Sequence, residues 1–202
     1  MLLNNHTYFS FKYGTLSPKK LVELSVALGY QQVVVTDINN TSACLNVVRL
    51  ANKEGVKPIV GIDFRNGVAQ QFVGLAQNNE GFLGLNRLLS QYLHLKQAFN
   101  GRAPKMENVI IIYPFSVVDY DWELASHEWI GIKVSDLTRL RFSKWKNRLD
   151  KMVILQTATF QNKRDFNAHR LLRAIDNNKL LSQLPKAEEG SLEQIFVPKE
   201  EL

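Results

Sequence analysis

The sequence has a single cysteine, Cys44, and no long hydrophobic run. One cysteine cannot form an internal disulfide, so a reducing compartment suits the chain better than an oxidising one. The longest apolar runs, among them Val109 to Tyr113, are far shorter than the ~20 residues that a membrane-spanning helix requires. The opening stretch, Met1 to His6, lacks the basic and apolar regions of a signal peptide. We therefore predict a cytoplasmic protein with no membrane segment.

Histidine is also scarce, with four in 202 residues, and none has a histidine or cysteine three or four positions away. A metal pair on a helix requires that spacing, so we interpret His94, His127 and His169 as surface or packing residues. The segment 81–84 has two glycines but lacks the lysine of a phosphate-binding loop, and no serine stands in a Gly-x-Ser-x-Gly setting. These absences argue against a nucleotide-binding loop and against a serine nucleophile.

What the sequence does contain is enough apolar material for one core. The chain is 45% hydrophobic and 22% charged, which can support one globular domain without disulfides or metals. Short apolar runs alternate with stretches of helical period, which predicts an α/β fold with a largely parallel sheet. The predicted strands are 2–4, 33–36, 57–62, 72–76, 109–113, 129–132 and 153–156. The predicted helix starts are Ser17, Thr41 or Ser42, the turn 78–80, Ser135 and Lys163.

The net charge of +6 permits attraction to nucleic acid, and the basic residues concentrate between Lys133 and Lys151. Apolar residues at helical spacing in this segment predict a helix over 135–149 with its basic residues facing solvent. One hypothesis is that this basic helix contacts DNA phosphates, and the alternative is a solvated basic surface. The side chains assigned to the contact are Arg141, Lys144, Lys146 and Arg148.

Polar residues stand at or just beyond the predicted carboxyl ends of three strands. They are Asn4 and His6 after the first strand, Asp37 after the second and Asp63 after the third. The carboxyl ends of strands form the functional face of both closed barrels and open doubly wound sheets, so we expect a site there in either architecture.

Four segments together resemble a known family, the N-terminal PHP (polymerase and histidinol phosphatase) domain of bacterial DNA polymerase III alpha subunits. The segments, in the family's order, are 3–14, Thr36-Asp-Ile-Asn-Asn40, Gly55-Val-Lys-Pro-Ile-Val-Gly-Ile-Asp-Phe64 and Leu75-Ala-Gln-Asn-Asn-Glu-Gly81. The stretches 165–175 and 196–202 are similar to the family's last barrel helix and to its lead into the polymerase region. The resemblance implies a distorted (β/α)7 barrel over residues 1–180 and a tail over 181–202.

Active members of this family bind a metal cluster and hydrolyse phosphoesters with a metal-activated water. This sequence departs from their ligand pattern at most positions. The family's His-x-His is Asn4-Asn5-His6, its Asp-His is Asp37-Ile38, and the glutamate of its Gly-x-Glu is Asp63. Its remaining histidine, cysteine and aspartate ligands align with Gln71, Phe115, Ser135 and Thr157-Ala158-Thr159.

Only His6, Asp37 and Asp63 keep a ligand-like form, which is too few for a multinuclear cluster. We therefore expect no catalysis and no cofactor, with at most one weakly bound divalent cation at Asp37 and Asp63. An alternative for His6 is a structural histidine that bonds a backbone carbonyl. An alternative for Asp37 is a cap on the turn that follows it.

The resemblance implies that the chain belongs to a DNA-directed DNA polymerase, a nucleotidyltransferase of DNA replication. Our leading hypothesis is a catalytically inactive structural and interaction module. Its expected partners are the rest of the polymerase chain and a proofreading exonuclease subunit, with DNA as a weaker partner. The alternatives are a residual metal-dependent phosphoesterase or 3'-5' exonuclease using His6, Asp37 and Asp63, and a DNA-contacting module built on the basic helix.

Overall fold

The computed structural model describes residues 1–119 and 121–202. In this part of the chain, helices pack against two sheets. The strands are β1 (Asn4–Asn5), β2 (Gln32–Val35), β3 (Lys57–Asn66), β4 (Ala69–Ala76), β5 (Val109–Pro114), β6 (Glu128–Ile132), β7 (Met152–Ile154) and β8 (Thr157–Ala158). The helices are α1 (Pro18–Ala27), α2 (Cys44–Lys53), α3 (Asn79–Leu95), α4 (Leu137–Arg141) and α5 (Lys163–Asp176).

The larger sheet has the order β2-β3-β4-β5-β6-β7, and β1 pairs with β8 in the smaller one. The pairs β2/β3, β5/β6, β6/β7 and β1/β8 are parallel, as the alternating pattern predicts. Strand β4 runs antiparallel to both of its neighbours. It follows β3 through a tight turn in which Gly67 has a φ of +59°, a conformation that favours glycine.

Two connections curl these sheets into one distorted barrel. Strands β7 and β8 are consecutive halves of an interrupted strand, and the first half pairs with β6 while the second pairs with β1. At the other edge, the backbone N–H of Thr36 donates to the carbonyl of Asn5 at 3.0 Å. Counting β7 and β8 as one strand, the barrel has the seven strands of the (β/α)7 architecture, which confirms the predicted fold class.

Local sequence signals predict the start of α1 correctly but not the start of α2. Ser17 accepts a hydrogen bond from the N–H of Lys20, Pro18 occupies the first turn, and Gly29 follows the helix with a φ of +79°, as predicted. The predicted cap of α2 at Thr41 or Ser42 is wrong. That helix begins after Ala43 without a side-chain cap, because the Thr41 hydroxyl instead donates to the side-chain oxygen of Asn86.

The helical spacing of Phe82, Leu85, Leu88, Leu89, Tyr92 and Leu93 predicts one inward face for α3. The helix buries Leu85, Leu88 and Leu89 of this set against the sheet. Leu93, which the same pattern assigns to the inward face, is 54% exposed because the last turn of α3 lies beyond the core. A cluster of apolar side chains fills the interior of the barrel, and several strands each contribute one or two of them. Its buried members are Leu3, Val34, Val73, Leu75, Ile112 and Leu155.

The predicted basic helix over 135–149 is wrong. Only α4 is α-helical in this segment, and short 3-10 turns occupy Val134–Asp136, Lys144–Asn147 and Leu149–Lys151. Ser143 ends α4, since its hydroxyl donates to the Leu140 carbonyl and accepts from the N–H of Trp145. Such side-chain bonds compete with helix continuation. The apolar spacing reflects the burial of Leu140 and Trp145 in a small satellite cluster instead.

The residues after position 180 lie against the barrel. Ile195 forms a parallel bridge with Phe160, Phe196 is buried with residues of α1 and α2, and the carbonyl of Val197 accepts from the Tyr30 hydroxyl at 2.8 Å. The domain division at 180 stays a prediction. Across residues 1–119 and 121–202, no helix combines the length and apolar character needed to cross a membrane.

Two glycines in α3 offer a matched test of this packing. A Cβ at Gly81 would overlap the carbonyl oxygen of Asn108, which accepts from the N–H of Gln77, whereas a Cβ at Gly84 would meet nothing within 4 Å. We expect Gly81→Ala to lower the free energy of unfolding by about 1–3 kcal/mol through overpacking. Gly84→Ala should raise it by up to about 1 kcal/mol through helix propensity. Urea unfolding measures both, and equal effects would contradict the close approach of α3 to Asn108.

Candidate functional site

The carboxylate of Asp63 is the centre of the polar cleft at the barrel mouth. Its described neighbours supply five hydrogen bonds, and the residue is 0% exposed. Oδ2 accepts from Asn4 Nδ2 at 3.1 Å, from His6 Nε2 at 2.9 Å, and from Arg65 Nε and Nη2 at 3.0 and 2.7 Å. Oδ1 accepts from Gln70 Nε2 at 3.0 Å. Both carboxylate oxygens are therefore occupied by protein donors.

The barrel strands bring these donors together from distant parts of the chain. Asp63 and Arg65 are two positions apart on β3, so their side chains point to the same side of the strand. The register of β3 with β4 shifts between Phe64 and Arg65, and this places Gln70 opposite Arg65. Asn4 and His6 come from β1 and the residue after it. A bulge that re-aims a side chain next to a polar site is a recurrent feature of sheets.

Asp63 and Arg65 form a buried ion pair. Burial by itself would raise the pKa of Asp63, but the charge of Arg65 and the hydrogen bond from His6 hold that pKa well below its usual range. Burial likewise opposes the charge on Arg65, yet Asp63 raises the pKa of the guanidinium above its ordinary value. Removing one partner of such a pair costs about 3–5 kcal/mol, because the other charge is left uncompensated.

His6 bridges two side chains of the cleft. Its Nε2 lies 2.9 Å from Asp63 Oδ2 and its Nδ1 lies 2.9 Å from the hydroxyl of Thr159. A carboxylate only accepts, so Nε2 carries the proton. Burial lowers the pKa of His6, and the Thr159 hydroxyl beside Nδ1 also lies 3.0 Å from Gln194 Oε1. His6 is buried and hydrogen-bonded, as a structural histidine would be, but the predicted backbone-carbonyl partner is wrong, since both ring nitrogens contact side chains.

Asp37 organises the loop after β1. Its carboxylate accepts from the N–H and hydroxyl of Thr7 at 2.6 and 2.7 Å and from the hydroxyl of Ser10 at 2.7 Å. Burial raises the pKa of Asp37, although these hydrogen bonds act to lower it. Asp37 thus acts as a cap, but of the loop 7–10 and not of the turn that follows it along the chain.

The donor set does not fit the multinuclear metal site that the family resemblance implies. Among residues 1–119 and 121–202, no three His, Cys, Asp or Glu side chains are grouped so that they could hold a metal ion. The isoleucine at position 38 offers only its N–H, which donates to Ser10 Oγ. At the ends of the last strand, Thr157 accepts from Asn4 and Thr159 contacts His6, so hydroxyls stand where the alignment places ligands.

The two neighbouring glutamines of β4 have different partners. Sequence comparison assigns Gln71 to the position of a family histidine, but Gln71 donates to the carbonyl of Ala69 outside the cleft. Gln70 is the residue that reaches Asp63. Sequence reasoning also missed Arg65. The signal for Arg65 was a charged residue two positions after Asp63 in an otherwise apolar strand.

A second buried network lies beside the first. The Arg65 guanidinium lies 5.0 Å from the centroid of the Tyr13 ring. The centroids of the Tyr13 and His169 rings are 4.5 Å apart. His169 Nδ1 donates to the carbonyl of Tyr13 at 2.7 Å, and Nε2 accepts from the N–H of Gly190 at 2.8 Å. His169 is therefore a packing residue, and it ties α5 to the first loop and to the tail.

The four predicted phosphate-contacting side chains lie on the surface but not on one helix. Arg141, Lys144, Lys146 and Arg148 are all exposed. Lys144 lies 3.9 Å from Asp121, and Arg148 lies 3.3 Å from Asp150. Cys44, in contrast, is buried, and burial raises the pKa of its thiol to about 12, so it is a small apolar residue of the core.

The profile of the PHP domain family matches residues 3–178, most of the chain. The chain belongs to the PHP domain family. This PHP domain is similar to parts of bacterial polymerases. An error-prone DNA polymerase of Anaeromyxobacter dehalogenans (strain 2CP-C) is 30% identical over 115 residues, which make up 54% of this chain and 10% of that protein.

Two DNA polymerase III alpha subunits show the same relation. That of Buchnera aphidicola subsp. Acyrthosiphon pisum is 30% identical over 95 residues, covering 44% of this PHP domain and 8% of the relative. That of Streptococcus pyogenes is 20% identical over 195 residues, covering 92% of this PHP domain and 18% of the relative. The chain therefore spans less than a fifth of the length of each of these relatives.

The buried His169 makes the stability of the PHP domain depend on pH. Burial, and then the charge of Arg173, lower its pKa from 6.5 to about 4, although the Tyr13 carbonyl opposes this. Between these values the unfolded chain binds more protons than the folded one, so stability falls as the pH drops. From pH 6.5 to 4 the loss assigned to His169 should reach up to about 3 kcal/mol.

His169→Gln keeps a donor and an acceptor but does not titrate, so its stability should fall less over the same range. Denaturant unfolding at half-unit steps of pH measures the difference. His6 is buried in both proteins, so its contribution cancels in the comparison. Parallel curves for the two proteins would contradict the assignment.

Proposed function

We propose that this PHP domain is a non-catalytic structural and interaction module of a cytoplasmic bacterial replicative DNA polymerase. Within that polymerase it packs against the remainder of the chain and provides a docking surface for a proofreading exonuclease subunit. Nucleotidyl transfer belongs to the remainder of the chain. The domain contributes to DNA replication by supporting that machinery and not by hydrolysis.

The observation that supports a non-catalytic role is the set of five hydrogen bonds that protein donors make to the Asp63 carboxylate. A hydrolytic PHP site needs carboxylate and imidazole ligands that are free to bind cations and so activate a water. Here the carboxylate of Asp63 accepts hydrogen bonds from Asn4, His6, Arg65 and Gln70. The carboxylate of Asp37 accepts hydrogen bonds from Thr7 and Ser10. Each of the four carboxylate oxygens therefore already accepts at least one hydrogen bond from the protein.

The polymerase context is supported by the relatives. The three relatives named above are polymerase chains, of which the matched part makes up 8 to 18%. A domain of this size inside such chains is expected to bury part of its surface against its neighbours. Interaction with those neighbours is therefore the role that remains when hydrolysis is lost.

Two readouts on the purified domain test this proposal. With Mn²⁺, Mg²⁺ or Zn²⁺ present, we expect no release of p-nitrophenol from bis-p-nitrophenyl phosphate and no shortening of single-stranded DNA above the level of a His6→Asn protein. In gel filtration we expect the domain to co-elute with the remainder of the polymerase chain encoded in the same genome.

Metal-dependent hydrolysis that disappears in His6→Asn would favour the residual phosphoesterase or exonuclease and overturn the proposal. Independent elution from both the polymerase remainder and the exonuclease subunit would also overturn it. A heat-treated sample of the domain serves as the control for non-specific association.

Contact with DNA phosphates is a second candidate function, favoured by one specific observation. In the part of the chain that the structure describes, no acidic side chain lies within ion-pair distance of Arg141 or Lys146, and both are exposed. Unpaired surface cations are the groups that release counterions from DNA on binding. Phe142 between them is 86% exposed and offers an aromatic face.

We expect Arg141→Glu combined with Lys146→Glu to weaken a salt-sensitive DNA shift by on the order of tenfold at low salt. The matched control is Lys53→Glu combined with Lys57→Glu, which makes the same change of net charge at the end of α2 and the start of β3. Equal weakening by both pairs would mean that net charge alone attracts the DNA, and would remove this candidate.

A further inference from the structure

We propose that the guanidinium of Arg65 occupies the place of a metal cation in this cleft, so that the site takes up a divalent ion only when Arg65 is removed. The starting point is the disagreement between the donor set and the metal cluster implied by the family. The carboxylate in the ligand position, Asp63, is retained and fully buried. Its positive partner comes from the chain itself.

Both oxygens of Asp63 already have protein donors where a divalent ion would bind. An ion at Oδ2 would have to displace Arg65 Nη2 at 2.7 Å, and an ion at Oδ1 would have to displace Gln70 Nε2 at 3.0 Å. Two nitrogens of the guanidinium converge on the single oxygen Oδ2. Charge-assisted bonds of this kind are among the stronger ones in proteins.

Arg65 is built into the fold and is not a surface arginine that happens to reach inward. It is 5% exposed, and its guanidinium lies 5.0 Å from the centroid of the Tyr13 ring. Its backbone is held at both ends, because its N–H donates to Asn39 Oδ1 at 2.9 Å and its carbonyl accepts from Asn39 Nδ2 at 2.8 Å. The position of the positive charge is therefore set before any ligand arrives.

The charges around the cleft also balance without a metal ion. Asp63 is matched by Arg65, and Asp37 is held by hydroxyl and amide donors. Lys133, at the end of β6, adds a half-buried ammonium whose pKa is lowered by burial and then by Arg65. A divalent ion would enter next to two cations, which Coulomb repulsion in a buried site opposes.

Removal of the guanidinium would leave a mononuclear ligand set in place. Asp63 would regain Oδ2, and His6 Nε2, at 2.9 Å from that oxygen, is aimed at the same point. Asn4 and Gln70 now direct their amide nitrogens at Asp63, and a flip of each amide would turn its oxygen there, for Asn4 with loss of the hydrogen bond from Thr36. One imidazole with carboxylate and amide oxygens suits Zn²⁺ or Mn²⁺.

The experiment compares the wild-type domain with Arg65→Met, Arg65→Lys and the double variant Asp63→Asn/Arg65→Met. Thermal unfolding is followed in EDTA, in ZnCl₂ and in MnCl₂, and bound metal is counted by elemental analysis after gel filtration. Methionine keeps the length of the side chain without its charge, and lysine keeps the charge without the paired donors.

We expect the wild type and Arg65→Lys to be indifferent to metal. Arg65→Met should lose on the order of 10 °C in Tm in EDTA, since it leaves a buried carboxylate uncompensated. It should regain about 5 °C on binding one metal ion. The double variant should be more stable than Arg65→Met and should not respond to metal, because both charges are absent.

If Arg65→Met does not fold in EDTA, refolding in ZnCl₂ or MnCl₂ replaces the melting curve, and recovery of soluble protein with one bound ion supports the proposal. The proposal is overturned if the wild type binds metal with a rise in Tm. It is also overturned if Arg65→Met is as stable as the wild type, or if metal does not raise the Tm of Arg65→Met. None of these outcomes depends on hydrolysis or on polymerase binding, so this proposal and the proposed function fail independently.

Discussion

A buried carboxylate must have its charge and its lone pairs satisfied from within the protein, and in this molecule that constraint falls on Asp63. The residues that meet the constraint come from β1, β3 and β4, while His6 in turn contacts Thr159 just after β8. The polar network therefore joins both ends of the strand series at the mouth of the barrel. The short strands β1 and β8 are two residues each, so these side-chain bonds are a large part of what holds them in register.

A metal cluster would perform the same joining in an active PHP site, since its ligands converge from several strands on one charge. In this chain the strands are joined by the side chains of asparagine, threonine, glutamine and arginine, through hydrogen bonds and one ion pair. Satisfied buried networks rigidify a fold and specify a unique arrangement. The neighbouring network of Tyr13, His169 and Gly190 extends this rigidity to α5 and to the tail. In the proposed structural role, such a rigid barrel would support the surfaces by which the domain meets its neighbours.

Local signals predicted the elements whose ends are defined by their own residues. Ser17, Pro18 and Gly29 bound α1, and Asn78 caps α3, because each acts on backbone groups a few positions away. Prediction failed where tertiary contacts compete. Thr41 bonds Asn86 in α3 instead of capping α2, and Ser143 ends the basic helix while Leu140 and Trp145 turn into a satellite cluster. Periodicity records which residues are buried, but not whether one continuous helix buries them.

The sequence by itself determined the family, the βα order of the barrel and the loss of ligand chemistry, because an isoleucine at position 38 cannot ligate in any fold. It also pointed to His6, Asp37 and Asp63 as cleft residues. Only the tertiary structure decided what those residues do. The register shift at Phe64/Arg65 brings Gln70 and not Gln71 to Asp63, and Asn4 meets Thr157 across 153 positions of sequence. A one-residue change of register reverses the side of a strand that a residue faces, and the spacing of motifs along the chain does not contain that information.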